Sequence, residues 1–177
     1  MDHTHIALTK WFLAAFMLLQ DEYCSAIKMQ RVLGLKRYEP GFYMLHKLRE
    51  SMATANMKYE NKSVHLAQCV LGGIGICDRD KVLIALVNDK LVLKHVDLRN
   101  LERFCEANGF SPLEKTDRET KIKLFKIFKT IKDKMNLRYH GVDPKRLQPY
   151  LDQCTFMWNR NDKAKAFHEM LGLVEVA

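Results

Sequence analysis

The stretch CSAIKMQRVLGLKRYEPGFYMLHKLRESM (24–52) contains two helical patterns separated by a glycine. Ser25 is a suitable N-cap, because its hydroxyl can accept a hydrogen bond from a free N–H of the first helical turn. Gly34 is suited to end this helix after Leu33, since glycine readily adopts the left-handed conformation found just beyond many helices. The sequence therefore predicts a short helix that begins after Ser25 and ends at Gly34.

A longer helix is predicted from about Pro40 to Met52. Proline fits the first turn of a helix, where its missing N–H would have no intrahelical partner. Apolar side chains recur at the spacing of one helical face, at Phe42, Leu45, Leu48 and Met52. Two helices joined by a glycine turn predict a helix-turn-helix.

The preceding run WFLAAFMLL (11–19) predicts a first helix over Lys10–Gln20. Nine apolar residues are too few for a membrane span, which needs about 20. A signal peptide is not indicated, because Gln20-Asp21-Glu22 follows where a small-residue cleavage site would be needed. We expect a buried helix and, with the two helices after it, a helix-turn-helix region over residues 1–55.

A small, polar stretch, MATANMKYENKS (52–63), predicts a linker. Three strand candidates follow it, rich in branched apolar residues: 64–71, 81–87 and 90–96. The last two flank Asn88-Asp89, a two-residue connection suited to a tight antiparallel hairpin. Helices are expected after the strands, at 98–108, 118–134, 144–158 and 162–171. This order of elements predicts an α+β protein.

The charge of the chain points to an anionic partner. The 177 residues carry a net charge of +8, and residues 121–177 hold 12 Lys and Arg against 6 Asp and Glu. The alternative is a mildly basic globular protein with no role on nucleic acid. The five cysteines contain no C-x-x-C pair, so reduced thiols in an intracellular protein are expected, in cytoplasm, nucleoid or nucleus. No metal or cofactor motif is present in the sequence.

Three stretches resemble a known family: residues 8–52, SVHLAQCVLGG (63–73) and RYHGVDPKRLQPYLDQCTFMWNRND (138–162). They are similar to the bacterial insertion-sequence transposases of the ISXO-two-like type, which are related to the eukaryotic Merlin transposons. The resemblance covers about half the chain. It implies a shortened ribonuclease-H-like α/β domain with C-terminal helices over residues 63–177, after the helix-turn-helix.

The resemblance also implies that the catalytic site has been lost. The family cuts DNA with two divalent metals held by acidic residues, and hard cations need such oxygen ligands. Its first two acids fall here at Ala67 and Gln68, and its third falls at Lys123 or Leu124. Asp117 follows a threonine, as the family's other acid does, and is expected to be a vestige.

Residual nuclease chemistry is a further alternative in which Asp78 or Asp80 replaces a lost acid. The closing segment departs from the family at Gln153 and Met157, and the family's N-terminal zinc ribbon is absent from this sequence. We therefore expect no enzyme activity, no cofactor and no bound metal.

Two surfaces are expected to contact DNA. Basic and aromatic side chains that can reach phosphates or base edges belong to the helix-turn-helix: Lys36, Arg37, Tyr38, Tyr43, His46 and Lys47. Basic side chains that can bind phosphate without reading sequence lie near or on the helix 118–134: Lys126, Lys129, Arg138, Lys145 and Arg146. In that helix Ile122, Phe125, Phe128 and Ile131 are predicted to form a buried stripe. Each surface also has an alternative interpretation without DNA contact. The helix-turn-helix is then a three-helix core that only packs, and the lysines of the second surface form a solvated face.

The resulting hypothesis is a transposase-derived, non-catalytic DNA-binding protein that acts as a regulator or architectural factor. The alternative is a protein-interaction module that docks onto another protein or a ribonucleoprotein. A homodimer is compatible with either hypothesis, and no membrane association is expected.

Overall fold

The structure is a computed structural model of the chain. It describes residues 6–21, 24–56, 64–70, 80–87, 90–97, 103, 118–139 and 142–176. The chain divides into two compact units, the first made of Met1–Met57 with Phe156–Ala177 and the second of Lys58–Thr155. Helices and an antiparallel sheet are segregated along the chain, which confirms the predicted α+β class.

Four helices build the first unit: α1 (Leu8–Gln20), α2 (Ala26–Val32), α3 (Tyr38–Asn56) and α6 (Lys163–Val176). The three N-terminal helices were predicted, with ends that differ by a few residues. α3 packs against α1, α2 and α6, and α1 also packs against α6. Trp11, Leu18, Met29 and Leu45 are buried in the shared core.

α2 begins and ends as the sequence predicts. Ser25 Oγ accepts a hydrogen bond from the N–H of Lys28 at 3.2 Å, which satisfies one free donor of the first turn. Gly34 has a positive φ of 59° beyond the end of the helix. The N–H of Leu35 then bonds the carbonyl of Gln30 at 2.9 Å. This is the Schellman pattern, which turns the chain sharply from α2 towards α3.

Pro40 and Gly41 lie inside the first turns of α3 and have separate roles. α3 begins at Tyr38, so Pro40 occupies a position whose N–H would have no intrahelical acceptor. Gly41 is buried against α2, where an added Cβ would lie 3.0 Å from the carbonyl oxygen of Ala26. The missing side chain therefore lets the backbones of α2 and α3 approach each other.

The C-terminal helix α6 belongs with the N-terminal helices. Ala166 and Met170 are buried in the core that contains Trp11 and Leu45. This grouping differs from the expected boundary, in which residues 63–177 form one domain and 1–55 another. Burial of the apolar side of α6 in the first core accounts for the difference, since the spacing along the chain does not show which core a helix joins.

Arg160, which precedes α6, connects the end of α3 to the middle of α6 within the first unit. Its buried guanidinium pairs with Glu169 at 2.6 Å and lies 3.8 Å above the ring of Phe156. It also donates to Asn56 Oδ1 at 3.3 Å and to the carbonyl of Ala55 at 3.4 Å. Arg160 thereby satisfies a carbonyl in the last turn of α3 that has no intrahelical donor.

The second unit contains a three-stranded antiparallel sheet in the order β1-β2-β3. Its strands are β1 (Val64–Val70), β2 (Asp80–Val87) and β3 (Lys90–Asp97), so all three predicted strands are confirmed. Val87 lies opposite Lys90 in the register, as the predicted hairpin requires. Val82 to Ala85 are consecutively buried, which is expected for a central strand covered on both faces.

Two further helices in the described ranges belong wholly or mainly to this unit. α4 (Arg118–Tyr139) packs against β1 and β2. α5 (Leu147–Trp158) follows a 3-10 turn at Pro144–Arg146 and continues into the first unit. Apart from residue 103, the predicted helix 98–108 lies outside the described residues, and so does the pair Asn88-Asp89. None of the helices in the described ranges is long and apolar enough to cross a membrane.

Side chains of α5 pair with the outer edge of β3. Thr155 Oγ1 accepts from the N–H of Leu93 at 3.2 Å, and Gln148 Oε1 accepts from the N–H of His95 at 2.7 Å. Gln148 Nε2 donates to the carbonyl of Leu93 at 3.3 Å. Unpaired groups on an edge strand invite pairing with other chains, and α5 blocks part of this edge.

We predict that Gly41→Ala destabilises the protein by about 1–3 kcal/mol, because the added methyl overpacks the α2–α3 contact. The matched control is Gly172→Ala in α6, where nothing lies within 4 Å of the added Cβ. The control should gain up to about 1 kcal/mol from the higher helix propensity of alanine. Urea unfolding measures both changes, and equal stabilisation by the two substitutions would show that α2 and α3 do not approach closely.

Candidate nucleic-acid interface

The first candidate surface lies on the outward side of α3 and the turn before it. We call it the α3 surface, and it contains the six residues that were predicted from the helix-turn-helix: Lys36, Arg37, Tyr38, Tyr43, His46 and Lys47. All six are exposed or partly exposed, while Leu45 and Met52 face the core. The predicted division of α3 into a buried and an outward side is therefore confirmed. Met44 is buried as well, and Phe42 is only partly buried.

Aromatic contacts orient two rings of the α3 surface. Tyr43 is 42% exposed and meets the ring of Trp11 edge-on, with centroids 6.3 Å apart. The ring of Tyr38 stacks on Phe42 at 6.0 Å. Each ring is therefore supported from one side and open to solvent on another, an arrangement suited to contact with bases or sugars.

Glu50 neutralises part of the positive charge of the α3 surface. Its carboxylate accepts from Lys47 Nζ at 2.8 Å and lies 3.3 Å from His46 Nε2. The hydrogen bond to Glu50, and then its negative charge, raise the pKa of Lys47. A phosphate that binds Lys47 must therefore compete with Glu50, a feature that the i, i+3 and i, i+4 spacings could have indicated.

The second candidate surface lies in the second unit. Lys126 and Lys129 are exposed on α4, and Lys145 and Arg146 are exposed on the 3-10 turn. The N–H of Lys145 bonds the carboxylate of Asp143 at 3.0 Å, which fixes the start of that turn. The backbone of Arg138 belongs to α4, but its side chain lies outside the described part of the structure.

The predicted buried stripe of α4 is partly wrong. Phe128 and Ile131 are buried as expected, whereas Ile122 is 46% and Phe125 49% exposed. The buried row also contains Leu124 and Met135, so it follows the positions 124, 128, 131 and 135. This row is rotated relative to the predicted one: α4 packs against β1 and β2, and Leu124 is buried while Ile122 and Phe125 are exposed.

Ala67 and Gln68, where the resemblance would place two acids, lie on the paired part of β1. Ala67 is opposite Ile84 and Gln68 is opposite Leu83. Asp80 is four residues from Ile84, which corresponds to about 14 Å along a strand, so it is poorly placed to replace an acid at Ala67. Asp78 and Asp117 lie outside the described residues.

The described residues contain no group of three or more His, Cys, Asp or Glu side chains that could hold a metal ion.

A buried carboxyl group that the sequence pattern does not indicate lies on α5. Asp152 is buried and accepts a hydrogen bond from Gln148 Nε2 at 2.9 Å. Burial raises the pKa of Asp152, and the charge of Lys94 and the bond from Gln148 only partly offset this effect. Since Gln148 also bonds β3, Asp152 supports the side chain that blocks the sheet edge.

No protein-family model, curated protein or solved structure matches this chain. The relation to transposases therefore stays a hypothesis based on the three sequence stretches that resemble the family.

We predict that Asp152→Asn is at least as stable as the parent at pH 7. A raised pKa means that the folded protein binds a proton at pH values where the unfolded chain has already released it, so ionisation at neutral pH lowers stability. Relative to the variant, the parent should gain stability as the pH falls from 7 through the raised pKa of the folded state. Urea unfolding between pH 7 and pH 4.5 measures the difference.

The matched control is Asp133→Asn, which removes an exposed carboxylate from α4. A parent that instead loses stability relative to Asp152→Asn on acidification would show that the ionised carboxylate is stabilised in the fold, with Lys94 as its partner.

Proposed function

We propose that this protein binds duplex DNA through the α3 surface and does not cleave it, acting as a transposase-derived regulator or architectural factor. The observation that carries the proposal is the geometry of α2, the turn at Gly34 and α3. One side of α3 is buried against α1, α2 and α6, and the other presents tyrosines and basic side chains to solvent. A helix held in this way can enter the major groove.

The start of α3 adds to this argument. Lys36 and Arg37 are exposed immediately before the helix, and neither forms an ion pair with another described residue. Free N–H groups at a helix N-terminus attract phosphate, and in many helix-turn-helix proteins this end of the second helix contacts the bases. The exposed Glu39 in the first turn opposes phosphate binding, so affinity would depend on which side of the helix the backbone passes.

The non-catalytic part of the proposal is based on the opening strand. Ala67 and Gln68 stand where the resemblance places two acids, and neither can supply a charged ligand to a metal ion. The small antiparallel sheet β1-β2-β3 is compatible with the start of a ribonuclease-H-like domain. A sheet of three strands is common to many folds, so the sequence resemblance remains the main support.

A protein-interaction module is the second candidate, and an exposed apolar row on α1 favours it. Leu8, Phe12 and Phe16 recur every four residues, and all three are exposed. An open groove of about 330 Å³ lies beside Phe16 and Phe167, between α1 and α6. Contiguous apolar surface often marks a contact with another protein.

We predict that Glu50→Gln increases affinity for duplex DNA by about twofold to fivefold at low salt, because Lys47 and His46 lose their intramolecular partner. The matched control is Glu39→Gln, which changes the net charge equally in the same helix but releases neither side chain. Fluorescence anisotropy with duplexes selected from a random pool measures both. An effect of Glu50→Gln no greater than that of the control would argue against contact between Lys47 and DNA.

We also predict no cleavage or joining of DNA with Mg²⁺ or Mn²⁺. Restoring one acid by Ala67→Asp should not produce activity, because two metals need several converging carboxylates. A supercoiled plasmid assay tests this prediction. Metal-dependent nicking by the purified protein that is lost on Asp117→Ala would contradict it and favour the residual-nuclease alternative.

A further inference from the structure

α4 presents an apolar and basic patch on the side opposite to its buried row. Ile122 and Phe125 are half-exposed although the helix already buries four other apolar side chains against the rest of its unit. Exposed cations surround them, Lys126 and Lys129 within the same two turns and Arg118 one turn earlier. We call these five residues the α4 patch.

Helical geometry makes the members of the α4 patch neighbours. Ile122 and Phe125 are separated by three positions, as are Lys126 and Lys129. Ile122 and Lys126 are separated by four positions, as are Phe125 and Lys129. Residues three or four apart lie about 5–6 Å from each other on a helix surface. The four side chains therefore form one compact patch in which two apolar groups lie beside two cations.

The charges of the α4 patch are available to a ligand. Arg118, Lys126 and Lys129 form no ion pair with another residue in the described ranges, whereas Lys47 of the α3 surface is already paired with Glu50. Three unpaired cations around an exposed aromatic ring are complementary to a polyanion that carries flat, apolar groups. Nucleic acid with unpaired bases has this chemistry.

We propose that the α4 patch binds single-stranded nucleic acid, with Phe125 stacking on a base and Lys126, Lys129 and Arg118 contacting the backbone phosphates. In a duplex the faces of the bases are covered by their neighbours, so an exposed ring on a basic helix has no face to stack on. In a single strand each base offers its face, and stacking on an aromatic side chain adds to phosphate neutralisation.

An anionic membrane is the competing ligand, and the composition of the helix disfavours it. Interfacial helices insert a wide apolar side into the lipid. The wide apolar side of α4, at Leu124, Phe128, Ile131 and Met135, is buried in the protein.

This inference goes beyond the proposed function, since it assigns a different ligand class to a different unit. The test uses the full chain with a labelled oligo-dT of 20 nucleotides, a duplex of the same length, and phosphatidylserine vesicles. Phe125→Leu removes the ring but keeps an apolar side chain. Its matched control is Phe16→Leu, the same change at an exposed position of α1.

We expect Phe125→Leu to weaken binding to oligo-dT by about fivefold or more and to leave duplex binding within about twofold of the parent. The change of Lys126 and Lys129 to Gln should reduce the log–log salt slope on oligo-dT by about 1.4, since each single-strand phosphate contact contributes about 0.7. Lys165→Gln in α6 is the charge control. Thermal unfolding should show that all variants keep the fold of the parent.

Oligo-dT binding that weakens in Phe125→Leu supports this inference even where α3-surface variants keep the duplex affinity of the parent, a result that would count against the proposed function alone. Unchanged oligo-dT affinity in Phe125→Leu would overturn it, whatever the lysine variants do. Vesicle binding that depends on Phe125, without single-strand binding, would identify lipid as the ligand and would also overturn it.

Discussion

The close crossing of α2 and α3 at Gly41 is the contact on which the first unit depends. Because no side chain separates the two backbones there, α3 can lie close against α2. Its apolar positions are then in the core, and its tyrosines and basic residues face outward. The Schellman turn at Gly34 sets the direction in which the chain reaches this crossing. The α3 surface is thus a consequence of how two glycines permit two helices to meet.

The second unit depends on a different device. Its hairpin is encoded locally by branched residues and a two-residue connection, but β3 would leave an open edge. Gln148 and Thr155 of α5 satisfy the backbone groups of Leu93 and His95 on that edge, and the buried Asp152 holds Gln148. Polar side chains that look like surface residues in the sequence therefore contribute to the folding of the sheet.

Local features of the fold could be predicted from the sequence, because their causes are local. The cap at Ser25, the stop at Gly34 and the hairpin register follow from residue chemistry within a few positions. The outward position of Tyr43 followed from helical periodicity. The packing of α6 in the first unit could not be predicted, since the sequence of an amphipathic helix does not specify which core the helix joins.

The side of α4 that is buried also could not be predicted from the sequence. Both Ile122 and Leu124 are apolar, and only packing against the sheet decides which of them is buried. The sequence predicts that Ile122 and Phe125 are buried. Because they are exposed, they belong to the candidate surface for single-stranded nucleic acid. Likewise Glu50 pairs with Lys47 and His46 and changes the electrostatics of the α3 surface, whose outward position the helical period predicts.

NMR titration of the isotope-labelled protein with a selected duplex can show whether α3 contacts duplex DNA. We expect amide shift changes concentrated between Lys36 and Lys47, with α1 unaffected. Duplex binding with no shift changes in α3, or with changes confined to α1 around Phe12 and Phe16, would show that DNA does not contact α3.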